Sequence, residues 1–256
     1  MNKIFKLKFS RALGVFVVVS EHCKNAVRGK GSGKKLATLV LTTACHLHAH
    51  AADVYDFVNS SGTSYNFNNG YAYSRTSVFG TIYNSGNQSF PFNGNFFTTV
   101  FSGGVEYMGS VLGNPREYNL TVSSGGNVYL EYRGVISSAT ILGYLGIGSS
   151  VDSASLQQIS LVGGGQMFVF SGATNVRVFN LIVNNGALGF NLAGSSNYAV
   201  GTTLSGSPMG IFNGAEANVT TILSGANLNV SSGGTATNSI VSSGGLLAVS
   251  AGGTAT

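Results

Sequence analysis

Residues 222–256 read ILSGANLNVSSGGTATNSIVSSGGLLAVSAGGTAT, and the second half of this stretch restates the first. Gly225 maps onto Gly244, Val230 onto Val249, and Gly233-Gly234 onto Gly252-Gly253, a step of 19 residues. Repetition at a short fixed period marks one supersecondary unit stacked on itself. Looser copies reach back to Val100: VFSGGVEYM, VSSGGNVYL, LVGGGQMFV, VNNGALGFN and LSGSPMGIF, with first glycines at Gly103, Gly125, Gly164, Gly186 and Gly206. A degenerate copy near Gly143 divides the 39-residue gap between Gly125 and Gly164.

Each unit offers short runs rich in Val, Ile, Leu, Thr and Phe between Gly-Gly, Ser-Gly or Asn-Gly corners, where glycine supplies a positive φ without a Cβ clash. About 20 residues suffice for one turn of a parallel solenoid whose strands stack at about 4.8 Å. The expectation is an all-β chain, a right-handed parallel β-helix of about 19–22 residues per turn with an N-terminal cap. Eight turns from Val100 onward would make a rod on the order of 40 Å long. A β-propeller needs about 40 residues per blade, and helical repeats are excluded by the glycine density and the lack of a 3.6-residue period.

Only 8% of the residues are charged. Stacking explains the scarcity, because two like charges about 4.8 Å apart in water repel by roughly 0.9 kcal/mol per step. Ser, Thr and Asn stack without that cost.

The net charge of +5 is unevenly placed. Residues 1–51 hold nine of the 13 Lys and Arg against one acid, Glu21, while the remainder carries four Arg against seven acids. The basic excess therefore reports on the N-terminus and does not point to a nucleic-acid partner. All Lys, both Cys (Cys23, Cys45) and all four His (His22, His46, His48, His50) also precede Ala52.

That N-terminal segment is built as an export signal in duplicate. Lys3, Lys6, Lys8 and Arg11 precede the apolar run 12–19, and Lys24 to Lys35 precede a second run, 36–47. The small-residue site Ala49-His50-Ala51 follows, which predicts cleavage between Ala51 and Ala52. Neither run nears the roughly 20 residues needed to span a bilayer. The absence of Cys beyond the leader suits a chain that crosses an oxidising compartment unfolded. The domain reading is a 1–51 extended signal peptide, a 52–100 N-terminal β cap and 101–256 solenoid repeats. The cap rests on aromatics at period-two spacing, such as Tyr65, Phe67, Tyr71 and Tyr73, and on the need to cover the first rung. An aromatic platform for sugar is the alternative for that segment.

Chemistry-bearing motifs are few. Ser205-Gly206-Ser207-Pro208 has the end of a secreted serine-protease motif, but Leu204 stands where the Asp belongs and the mature chain has no His for a general base. The seven acids beyond the leader, Asp53, Asp56, Glu106, Glu117, Glu131, Asp152 and Glu216, are scattered, and Glu131 with Arg133 near Glu106 reads as an exposed ion pair. No catalytic, cofactor-binding or metal-binding residue is predicted, since zinc and iron sites want His or Cys and calcium solenoids an Asp per turn.

The doubled leader, beginning MNKIFKLKFSRALGVFVVVSE, resembles the extended signal peptide of large Gram-negative autotransporters, and the SSGGxLxVxxGGTAT block resembles the passenger repeat of AIDA-type self-associating adhesins. The resemblance implies export by type V secretion and display at the outer membrane or release from it. It also implies adhesion, autoaggregation and biofilm formation without a cofactor. The partners it implies are identical passengers on neighbouring cells, host-surface glycans or proteins, the Sec machinery and a C-terminal barrel. It further implies that the 19-residue array continues beyond Thr256. Two other readings stay open: a polysaccharide-degrading β-helix enzyme, and a passive spacer stalk.

Overall fold

Along each repeat the burial alternates residue by residue, as in Asn127–Leu130 and Gln166–Val169, where the second and fourth side chains are buried. Strands of this length cannot bury that face alone and do so by stacking on the next repeat. The computed structural model describes residues 5–10, 15–20, 57–67, 76–84, 94–95, 97–109, 114–187 and 189–256 of the 256-residue chain. The chain divides into two units, Met1–His48 and Ala49–Thr256. In the first, Phe5–Ser10 pairs antiparallel with Val15–Ser20. The predicted cleavage site, Ala49 to Ala52, lies outside the described residues.

Over its described residues the second unit is a parallel β-solenoid with two continuous sheets. One holds ten strands, from Ser64–Phe67 to Leu246–Val249, each paired in parallel with its neighbour. The other holds 17 strands, because each full rung adds two segments that meet at a bend, as Arg116–Glu117 and Leu120–Val122 do. Eight of the ten rungs begin at or after Val105, as the repeat predicts. The first two come from the aromatic lead-in, whose strands Phe57–Asn59, Thr76–Val78 and Thr98–Val100 run in register with the rest.

Where a corner has two glycines they serve different ends; at the other three the second position is Ala187, Ser207 or Ala226. The first ones, Gly103, Gly125, Gly164, Gly186, Gly206, Gly225 and Gly244, all have positive φ, between 61° and 91°. They also form a ladder: the Gly225 N–H donates to the Gly244 carbonyl at 2.8 Å, and the Gly164 N–H to that of Gly186 at 2.6 Å. The second glycine lies against the rung below. A Cβ on Gly126 would stand 2.6 Å from the Val100 carbonyl oxygen, and one on Gly245 2.6 Å from that of Ile222. At Gly143 only the second reason operates, since its φ is not positive yet a Cβ would meet the Ser123 carbonyl oxygen at 2.5 Å. That explains why this copy has a single glycine and looks degenerate.

A third bend has almost no glycine, so no Gly-Gly spacing marks it. Between the two segments of the larger sheet the chain passes through positive φ at Asn119, Gln158, Asn180, Gly201, Val219 and Asn238. Asparagine tolerates this region through local hydrogen bonding, and Asn238 Nδ2 donates to Asn218 Oδ1 at 3.0 Å. Val219, a β-branched residue at φ 54°, is the strained member.

The core is a set of columns. Leu130, Ile147, Val169, Leu192, Ile211 and Val230 stack along the ten-stranded sheet, facing Val122, Ile141, Leu161, Val183, Leu204 and Ile222 of the other, and all are essentially inaccessible. On the last rung Val241 and Val249 continue these columns and are exposed.

Candidate functional site

The outer face of the ten-stranded sheet carries a column of stacked rings. Tyr83, Tyr107 and Tyr129 occupy equivalent positions on successive rungs, with centroids 5.2 and 5.3 Å apart and planes within 19° of parallel. The next rung has Gly146 in that position, and the ring of Tyr144 leans over it to continue the column to Phe168. Burial, with the neighbouring phenols, pushes the Tyr107 hydroxyl up from its ordinary pKa, and burial does the same at Tyr144. Sugar rings bind aromatic side chains on an open face. Here the neighbouring rings occupy the faces and the edges look outward, so the column holds rungs together, at about 0.5–1.5 kcal/mol per pair. The signal was present in the sequence, because each ring stands four residues after a first corner glycine: Tyr107 after Gly103, Tyr129 after Gly125, Phe168 after Gly164.

The larger sheet offers a different surface. Three strands, Arg133–Ile136, Ser153–Gln157 and Val176–Phe179, stack so that Val135, Ser155 and Arg177 form one outward column and Arg133 and Ser153 pair in another. The middle rung presents the short side chains of Ser153 and Ser155 before Gln157, whereas the rungs on either side present Arg133, Asn175, Arg177 and Phe179. The result is a trough of about 550 Å³, also lined by Asn114 and Gln157. Its inward residues, Gly134, Ala154 and Val176, belong to the core, so the floor is fixed by sheet pairing rather than by a loop.

The two arginines differ. Arg133 is clamped by Asp152, its Nε donating to Oδ1 at 2.7 Å and its Nη2 to Oδ2 at 2.6 Å. That hydrogen bond holds the Asp152 carboxyl below its usual range and raises the Arg133 guanidinium above its own. Both side chains are about half exposed, 42% and 53%, so solvent screens the pair and it adds little to stability. Arg177 has no carboxylate partner among the described residues. Its guanidinium carbon lies 5.6 Å from the centre of the Tyr198 ring, which Phe179 meets edge-on at 5.9 Å.

The sequence-level pairing of Glu131 with Arg133 near Glu106 is corrected on both counts. Asp152, one rung on, takes Arg133, and Glu106 points into the core between Ile82 and Val128 with no exposed surface. Glu117 is equally buried and its Oε2 accepts a hydrogen bond from Thr98 Oγ1 at 2.6 Å. Strand alternation put both carboxyls inside, where neither could meet a substrate. Ser207 is also removed from surface chemistry. It is buried, with its hydroxyl 2.7 Å from the Asn184 carbonyl oxygen and 3.1 Å from that of Ala187, which makes it a corner residue. Among the described residues no cluster of three His, Cys, Asp or Glu is placed to hold a metal ion.

Residues 1–50 match the family model for the extended signal peptide of the type V secretion system. The chain is thus exported by that route to the Gram-negative cell surface. No curated protein matches the chain. Among solved structures, a crystal structure of a TibC-catalyzed hyper-glycosylated TibA55-350 fragment is 18% identical, with a TM-score of 0.38, over 80% of this chain and 100% of that one. That is a distant likeness, and the functional reading rests on the leader and the solenoid.

Proposed function

We propose that this chain is part of an AIDA-type autotransporter passenger that mediates adhesion, self-association and biofilm formation, and that it does so by binding rather than by catalysis. The observation that carries the reading is the conjunction of a type V leader with a stacked solenoid whose outward positions are mostly uncharged, with Ser and Thr recurring on the larger sheet. In the last rungs Asn227 and Asn229 stand on one sheet and Thr221, Thr235 and Thr237 on the other, and at the 19-residue step Thr235 is restated by Thr254 while Asn227, Asn229 and Thr221 are followed by Leu246, Ala248 and Ile240. A face of this kind on one cell can meet its copy on another through many weak hydrogen bonds, and repetition along the rod multiplies them. The polysaccharide-cleaving alternative needs two carboxyls facing each other across a groove, roughly 5 to 10 Å apart. The lining of the trough contains none.

The full chain, joined to a translocator barrel and displayed on cells that do not otherwise clump, tests this. Rapid settling of a standing culture, abolished by protease shaving of the surface, is the expected result. Displayed cells that neither settle nor hold to surfaces would leave these rungs a spacer and overturn the proposal.

A further inference from the structure

The geometry points to the trough on the larger sheet as a binding site for the carboxylate of an acidic sugar chain, with Arg177 as the residue that takes the charge. This rests on the adhesive reading above and names a ligand class for it.

The trough is built by the sheet: a row of serines between two rows of long side chains, with its floor held by core residues. Its chemistry is mixed in the way that sugar recognition requires. The Ser153 and Ser155 hydroxyls and the amides of Gln157 and Asn175 can each exchange hydrogen bonds with sugar hydroxyls, and Phe179 supplies an apolar wall. Two arginines border it, their backbone positions about 12 Å apart from an offset of two rungs and two residues along the strand, close to the span of a disaccharide. Arg133 is held in place by Asp152 and keeps its Nη1 donors. Arg177 is exposed, has no acid to neutralise it among the described residues, and is steadied over Tyr198. A planar guanidinium of this kind binds a carboxylate through two parallel hydrogen bonds.

An acidic peptide fits less well. Peptides dock on a sheet through an open strand edge, and here the backbones of all three strands are already paired on both sides. What the trough offers is side chains alone, set in a shallow groove.

The experiment uses the purified full chain with two immobilised probes, a galacturonic-acid tetramer and sialyllactose, each beside its carboxyl-reduced neutral form. Binding of one or both acidic probes, at least tenfold tighter than their neutral forms and weakened by salt, is expected. Which probe wins identifies the source of the carboxylate. Arg177→Gln should lower that affinity at least tenfold, Arg177→Lys should keep part of it, and Gln166→Ala on the opposite sheet should leave it unchanged. Ser155→Leu, which fills the trough without altering charge, should abolish binding, and thermal unfolding of each variant confirms that it folds. Equal binding of acidic and neutral sugars, no binding of either, or an Arg177→Gln variant that folds and binds normally overturns the inference. Settling assays keep the two proposals apart. Cells that settle without binding sugar overturn this site alone, whereas Arg177-dependent sugar binding without settling overturns self-association alone.

Discussion

The rungs from Val105 to Leu192 and those from Pro208 onward solve the same stacking problem by different means. In the first region the strands of the ten-stranded sheet begin at 105, 127, 144, 166 and 189, steps of 22, 17, 22 and 23 residues. In the second they begin at 208, 227 and 246, steps of 19. The irregular rungs bury large side chains, Ile136, Leu156 and Val178, in a column that becomes Ala199, Ala217 and Ala236 in the regular ones. Outside, the ring column from Tyr83 to Phe168 gives way to Asn191, Gly210, Asn229 and Ala248. Where corner lengths vary, side chains have to define the register; where the period is constant, backbone pairing and the glycine ladder suffice.

Removing a large core side chain should hit the irregular region hardest. Phe190→Ala empties a fully buried site and should cost about 3–5 kcal/mol. Urea unfolding would read the loss, and hydrogen exchange should place it in the rungs around 167–212. A uniform loss of protection across all rungs would show that the regions are not independent.

Cutting the ring column is the next largest effect. Tyr107→Ala removes two stacked contacts and their buried area and should destabilise by about 2 kcal/mol. Asn229→Ala, at the corresponding position of the regular region, should change the unfolding free energy by no more than about 0.5 kcal/mol. Equal losses would remove the distinction.

Relieving the strained bend should act in the opposite direction. Val219→Asn gives the regular region the residue that Asn119, Asn180 and Asn238 already use at positive φ, and should stabilise it by about 1 kcal/mol. A thermal scan that shows no upward shift would mean that Val219 is held by its exposed packing instead.

The smallest effect is one of pH. Tyr107 and Tyr144 have hydroxyl pKa values raised above the ordinary value, so the protonated ring is the form that the folded state favours. Their contribution is complete below the unfolded value of about 10 and is lost as pH rises through the higher folded value. Unfolding midpoints at about pH 8 and pH 11 should therefore fall for the irregular rungs more than for the regular ones. Tyr107→Phe should blunt the difference.

The solenoid itself was legible from Gly-Gly spacing, because a glycine demanded by backbone geometry must recur wherever the geometry does. Gly103, Gly125, Gly164, Gly186, Gly206, Gly225 and Gly244 all sit at the left-handed corner for that reason. The doubled leader was legible because export reads charge and hydrophobicity along the chain, not a fold. The third bend was hidden, since Asn, Gln and Val share its positions and no single residue type announces it. The trough was hidden too, because Arg133, Ser155 and Arg177 are neighbours only across rungs.

Phe190 shows where the sequence stops. It stands four residues after Gly186, the spacing that places Tyr107, Tyr129 and Phe168 outside. Yet Gly189 pairs with Gln166, so this corner holds one residue more than its neighbours. One residue of slip in a strand turns every side chain to the other face. Phe190 is thereby buried beside Met167 and Met209, and the ring column ends at Phe168. Period and composition determined that this chain stacks; the length of each corner, settled only when the rungs pair, decided which side chains face the core and which face the world outside.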